Sequence, residues 1–246
     1  MSARRILSPA AAFVLALCAP SARATLLDDG GFDAATSGSQ TSNSNWVLTT
    51  NFPDTTNAGA QFQTGFANAN NTGVGGTQPP GTGTGIWIRS FEGNQGEGGD
   101  PLVNADITQS ILAPFTGNYS LTFVVGRESN FSADQFGVTL FSSGTGGSAS
   151  VDLRAAVIPD GNLGGAASGN PGGTLFNLFL FGVSAGDTLT VSGFVVNGRD
   201  SLLVGGQSAF LDNFELNGVA TAPVPSAFAL LALGGLLLGV TARRLV

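Results

Sequence analysis

Few side chains in this 246-residue chain could act on another molecule, and their types narrow the chemistry at once. It has no histidine, no lysine and a single cysteine, Cys18, close to the N-terminus. Without imidazole or a thiol in the body of the chain there is no Ser-His-Asp or Cys-His nucleophile, no histidine base and no imidazole or thiolate metal site. Without lysine, Schiff-base chemistry and a Ser-Lys pair are excluded too. None of the glycine-rich stretches ends in the Lys-Ser/Thr that cradles phosphate. Sixteen Asp and Glu remain. A glycosidase needs two carboxyl groups facing each other across a cleft, and no spacing here singles out a pair. The expected protein is therefore not an enzyme. What the residues could do is bind sugar, which calls for aromatic rings to stack on pyranose faces and polar groups to orient them. Trp46, Trp87 and Tyr119 are the candidates. Trp87 shares an alternating strand with Phe91, and Tyr119 is in register with Leu121 and Phe123, so both are expected inside. Trp46 follows a polar Ser/Asn stretch and is the ring expected at the surface. Arg89 and Arg127, scarce cations, could meet an acidic glycan, although an ordinary salt bridge is the expected role.

The elements that would position these residues read as strands. Residues 85–91 alternate, and so do 119–123, with Tyr119, Leu121, Phe123 and Val125 on one face. Residues 107–111, 136–141, 175–181, 189–195 and 210–216 follow, most of them bounded by glycine or a Gly-Asp turn. Eighteen phenylalanines supply much of the core. Gly/Ser/Thr/Asn stretches at 34–45, 68–84, 93–100, 142–150 and 161–173 read as loops. Many short strands with hardly any helical periodicity predict an all-β antiparallel sandwich over residues 25–218.

The two ends read as addresses. Arg4 and Arg5, an apolar run from Ala10 to Leu17, and Ala22-Arg23-Ala24 form a signal peptide over 1–24, with cleavage after Ala24 leaving Thr25 first. The last segment, 219–246, has Pro223-Val224-Pro225-Ser226, an uncharged apolar run over 227–242, and Arg243-Arg244 in the tail. An apolar run with no polar face is expected to enter a bilayer, its basic pair staying cytoplasmic. Between the ends, four arginines against all sixteen acids give a net charge of −12. Nucleic acid is excluded as a partner, because phosphate binding needs clustered cations.

The order Val-Pro-x-Pro-Ser, apolar span, Arg-Arg resembles the PEP-CTERM sorting signal of Gram-negative bacteria. Pro223 and Pro225 match its two prolines and Arg243 and Arg244 its basic tail, while Val224 and Ser226 complete the motif with Val224 in place of the usual glutamate. The resemblance implies export by the Sec route, a transient hold in the inner membrane, and cleavage by an exosortase-type processing enzyme. It also implies a place on the cell surface or in an exopolysaccharide or biofilm matrix.

A second resemblance covers residues 26–216. Leu26-Leu27-Asp28-Asp29-Gly30-Gly31-Phe32-Asp33, an early Trp46, the strand Trp87-Ile88-Arg89-Ser90-Phe91, Gly117-Asn118-Tyr119-Ser120-Leu121-Thr122-Phe123 and the closing Phe210-Leu211-Asp212-Asn213-Phe214-Glu215-Leu216 follow the order of galactose-binding-like jelly rolls. That family includes many carbohydrate-binding modules. The resemblance implies a jelly-roll sandwich and a structural calcium ion joining first and last strands through Asp33 and Asp212, with Asp28 and Asp29 nearby. For Asp212 and Asn213 the alternative is a local turn. Two functions stay open: a non-catalytic surface or matrix protein, and a carbohydrate-binding module recognising a secreted polysaccharide through Trp46, Trp87 and Arg89.

Overall fold

Strand alternation resolves into two packed antiparallel sheets. A computed structural model describes residues 25–32, 39–40, 44–51, 59–64, 84–91, 96, 99, 101–160, 173–203 and 206–221. Its strands are β1 (Ser39–Gln40), β2 (Val47–Thr50), β3 (Gly59–Thr64), β4 (Thr84–Arg89), β5 (Val103–Leu112) and β6 (Gly117–Arg127). They continue with β7 (Gln135–Ser142), β8 (Ser148–Asp152), β9 (Thr174–Val183), β10 (Thr188–Gly198) and β11 (Ser208–Ala220). One sheet has the order β1-β3-β4-β11-β6-β9 and the other β2-β5-β10-β7-β8. From β4 onward the chain changes sheet at every connection except β7 to β8, which is jelly-roll winding. The all-β sandwich expected from the sequence is the observed architecture.

Alternation decides which side chains meet between the sheets. In β5, Val103, Ala105 and Ile107 are buried while Asn104, Asp106 and Thr108 face outward. In β10, Leu189, Val191 and Val195 are buried, and Thr190, Ser192 and Phe194 take the outer parity. A bulge at Asp212–Glu215 in β11 shifts the parity, so Leu211 and Phe214, three residues apart, both reach the core. Asn213 absorbs it with φ of 51°, a left-handed conformation that asparagine tolerates better than most residues.

Strand β8 occupies part of the stretch expected as the loop 142–150. Its small polar residues have little strand preference of their own; pairing with β7 from Gly137↔Asp152 to Phe141↔Ser148 imposes it. Strands β2 and β3 also exceed the sequence expectation. β11 runs two residues past the boundary expected at 218, and the Thr221 N–H then donates to Thr116 O at 3.1 Å.

Candidate functional site

The outer face of the five-stranded sheet carries an in-register row of side chains that crosses all its strands. Thr49 of β2 is opposite Asp106 of β5, and Asp106 is opposite Phe194 of β10. Phe194 is opposite Gly137 of β7, and Gly137 is opposite Asp152 of β8. A parallel row of hydroxyls, Thr108, Ser192, Thr139 and Ser150, runs beside it. With strands about 4.8 Å apart the row is about 19 Å long.

Phe194 is the one aromatic ring in that row, and Gly137 makes room for it. A Cβ at Gly137 would lie 3.0 Å from Phe194 Cζ and 2.5 Å from Val151 O. The ring therefore crosses a bare stretch of β7 and leaves a hollow on each side. On the Thr49–Asp106 side the hollow measures about 510 Å³ and includes Asn51, Asn104 and Ser192. On the other it measures about 320 Å³, with Gln135, Ser150, Asp152 and Arg154. Phe194 lines both.

The polar groups along this groove are already oriented. Ser192 Oγ donates to Asp106 Oδ1 at 2.5 Å, which fixes the carboxylate plane. Asn104 Oδ1 accepts the Asn197 N–H at 2.9 Å, and Asn51 Oδ1 accepts the Asn104 N–H at 2.8 Å. At the far end Arg154 donates to Asp152 from Nη2 at 2.9 Å and from Nε at 3.2 Å. Those hydrogen bonds hold the Asp152 carboxyl below its usual pKa range. An apolar platform flanked by fixed hydrogen-bonding groups can take a flat ligand with apolar faces and polar edges.

The residues expected at a site are distributed differently. Trp46 is 3 % exposed, not at the surface: its ring packs against Phe32 and Phe214 at centroid distances of 5.0 and 5.4 Å, and Nε1 donates to Asp29 O at 3.0 Å. Gln109, whose Nε2 donates to Asp28 O and Asn45 O at 2.8 Å each, ties both segments down over the core. Trp87 was expected inside the sandwich. Instead Ile86 and Ile88 point inward, and Trp87 is half-buried on the outer face of the six-stranded sheet. It lines a cleft of about 410 Å³ with Arg89, Phe91, Glu128, Gln207 and two others, and the Arg89 guanidinium lies 3.9 Å from the Phe91 ring centroid. Trp87 and Arg89 are thus together, but on the opposite sheet from Phe194.

Tyr119 is buried as expected, its hydroxyl donating to Phe115 O at 2.6 Å while burial pushes the phenol pKa up. Arg127 makes no carboxylate pair among the described residues. It donates to the carbonyls of Leu153, Arg154 and Ala156 at 2.7, 2.7 and 3.3 Å. Asp212 is 2 % exposed and its Oδ1 accepts the Asn213 N–H at 2.7 Å. First and last segments are joined by backbone bonds, Leu26 N–H to Leu216 O at 2.8 Å and Phe214 N–H to Gly30 O at 2.9 Å. Among the described residues no group of three His, Cys, Asp or Glu could hold a metal. Asp212 is engaged with backbone, and Asp33, its expected partner at a calcium ion, lies outside the described residues. So do Ala22, Ala24, Pro223, Val224, Pro225, Ser226, Arg243 and Arg244. No helix among the described residues is long and apolar enough to cross a membrane.

Sequence reasoning missed Phe194, Asp106 and Arg154. A signal for the first was present: Thr190, Ser192 and Phe194 share one parity of β10, and the phenylalanine is the large apolar residue among hydroxyls. The same signal marks β9, where Leu175, Phe179 and Phe181 are exposed on one side and Leu178 and Leu180 are buried on the other.

No family model matches the chain, and no curated protein sequence matches it. Among solved structures it is similar to the enzymatically active domain of bacteriophage CBA120 tailspike protein 4, at 13 % identity and a TM-score of 0.45, covering 79 % of this chain and 21 % of that one. It is also similar to TmCBM61, solved with β-1,4-galactotriose, at 16 % identity and a TM-score of 0.41, over 80 % of this chain and 99 % of the other. A third is the K1 cleaved adhesin domain of Lys-gingipain from Porphyromonas gingivalis, at 13 % identity and a TM-score of 0.37, over 74 % and 94 %.

Proposed function

We propose that the protein is a non-catalytic carbohydrate-binding module, and that an extended oligosaccharide lies across the five-stranded sheet with one sugar on Phe194. The observation that carries this reading is the in-register row from Thr49 through Asp106, Phe194 and Gly137 to Asp152. A sugar ring has apolar C–H faces and hydroxyls around its edge, and the row offers an aromatic surface between two hydrogen-bonding hollows. Cleavage is not part of the reading. Asp106 and Asp152 are three strand intervals apart, about 14 Å, wider than the roughly 5–9.5 Å separating the carboxyl pair in glycoside hydrolysis. Neutral and acidic soluble polysaccharides, titrated calorimetrically against the intact protein, supply the test. Phe194→Ala is expected to weaken binding at least about tenfold, equivalent to about 1.4 kcal/mol, while the thermal midpoint stays close to wild type. Silence across the panel, or an unchanged affinity in the variant, would overturn it.

The same proposal includes the route. Residues 1–24 and 219–246 are taken as a signal peptide and an exosortase-type sorting tail, delivering the module to the cell surface or an exopolysaccharide matrix. This part rests on the motifs in the sequence alone.

A further inference from the structure

The far end of the groove opens into a second cleft. Arg154 lines the hollow beside Phe194 and also a neighbouring cleft of about 320 Å³, whose other lining residues are Arg127, Ser129, Phe131, Ser132 and Ala133. This lining holds two guanidinium groups and two hydroxyls and no carboxylate. That is unusual in a body carrying only four arginines against sixteen acids. A third arginine, Arg199, stands close by, paired with Asp134, and its N–H donates to Ser132 O at 3.0 Å.

The guanidinium groups retain donors. Arg127 spends three of its five N–H groups on the carbonyls of Leu153, Arg154 and Ala156. Arg154 spends three, two on Asp152 and one on Ala133 O at 3.4 Å. Among the described residues, two N–H groups on each are left, and the Ser129 and Ser132 hydroxyls have no side-chain or backbone partner. Of the acids nearby, Asp152 is bonded to Arg154 itself and offsets part of its charge, whereas Arg127 has only carbonyl partners among the described residues; Asp134 is bonded to Arg199 and Asn197, and Asp160 Oδ1 accepts the Ser129 N–H at 2.7 Å. A planar oxyanion suits such a pair, because guanidinium forks match carboxylate or sulfate geometry and gain strength from the charge.

We propose that this cleft is an anion subsite, taking the carboxylate or sulfate ester of an acidic sugar whose chain continues along the Phe194 groove. This rests on the glycan-binding reading and sharpens it to acidic heteropolysaccharides. A densely charged polyuronate is disfavoured, because Asp106, beside Phe194 in the row, is bonded to Ser192 and to no cation among the described residues, and the body is strongly negative. Charged units spaced along an otherwise neutral chain fit both features.

Two matched pairs of polymers test it: a uronate-bearing heteropolysaccharide with its carboxyl-reduced form, and a sulfated galactan with its desulfated form. The intact protein is expected to bind one charged member at least about tenfold more tightly than its neutral partner at low salt. That preference shrinks as salt rises through screening. The pair that shows it identifies the anion. Arg154→Gln is expected to bring the charged-to-neutral ratio close to one, Arg154→Lys to restore part of it, and Ser132→Tyr, which fills the cleft, to abolish it. Equal binding of both members by wild type, or a preference intact in Arg154→Gln and Ser132→Tyr, overturns the anion subsite and leaves the groove reading standing. No binding to any of the four polymers overturns the groove reading itself.

Discussion

At the scale of single residues, burial separates side chains that hold the fold from those left facing outward. Trp46 belongs to the first group. Its ring contacts Phe32 and Phe214, so removing it opens a cavity in the core and would be felt as lost stability, not as a lost ligand contact. Phe194 belongs to the second, because its parity in β10 is that of Thr190 and Ser192. Glu128 is a third kind, a half-buried carboxylate with no cation bonded to it among the described residues. Burial pushes its pKa up; the Ser208 N–H, donating to Oε2 at 2.7 Å, pulls it down, and the charge of Asp160 adds to the rise. The folded protein thus holds a proton there more tightly than the unfolded chain does. Its penalty is absent below the ordinary carboxylate pKa, grows as pH rises toward the raised value, and is complete above it. Glu128→Gln keeps an acceptor for Ser208 and removes the charge. Its thermal midpoint is expected above wild type at pH 8 and level with it near about pH 3.5, where both side chains are neutral. A midpoint below wild type at pH 8 would refute that account.

At the scale of elements, the groove depends on β7 and β10 meeting in one register. Gly137 opposite Phe194 is the point on which the groove's shape turns, since a side chain there would meet the ring. Gly137→Ala puts a methyl within 2.5 Å of Val151 O, a backbone atom fixed by the β7–β8 pairing. The expected cost is about 1–3 kcal/mol, the range for overpacking a close-fitted site, read from urea unfolding, together with weaker glycan binding as Phe194 is displaced. A variant as stable as wild type would show that the strands separate easily there. On the other sheet, β9 is an edge strand without a single charged residue, and Phe181 on it is 69 % exposed. Exposed apolar edges of that length usually carry a charge or a proline.

The molecule as a whole combines a cation-poor sandwich with two ends that read as addresses. Mass spectrometry of the secreted protein is expected to find Thr25 as the first residue and a C-terminus near Pro225; an intact 246-residue chain recovered from the cytosol would remove the sorting proposal. Composition alone excluded histidine and lysine chemistry, and thiol chemistry between residues 25 and 218, because a missing side chain cannot be supplied by folding. Period-two patterning also made the sandwich legible, since alternation at 119–125 and 189–195 has one economical solution, burial of one face. Alternation gives parity within a strand but says nothing of which strands become neighbours. Trp46 and Trp87 therefore could not be assigned from their own surroundings: Phe214, which packs on Trp46, is 168 residues away in the chain. Asp106, Phe194, Gly137 and Asp152 likewise come from four separate strands. Their alignment exists only once backbone pairing has set the register, and that is a tertiary decision made by the core, not by the residues that line the groove.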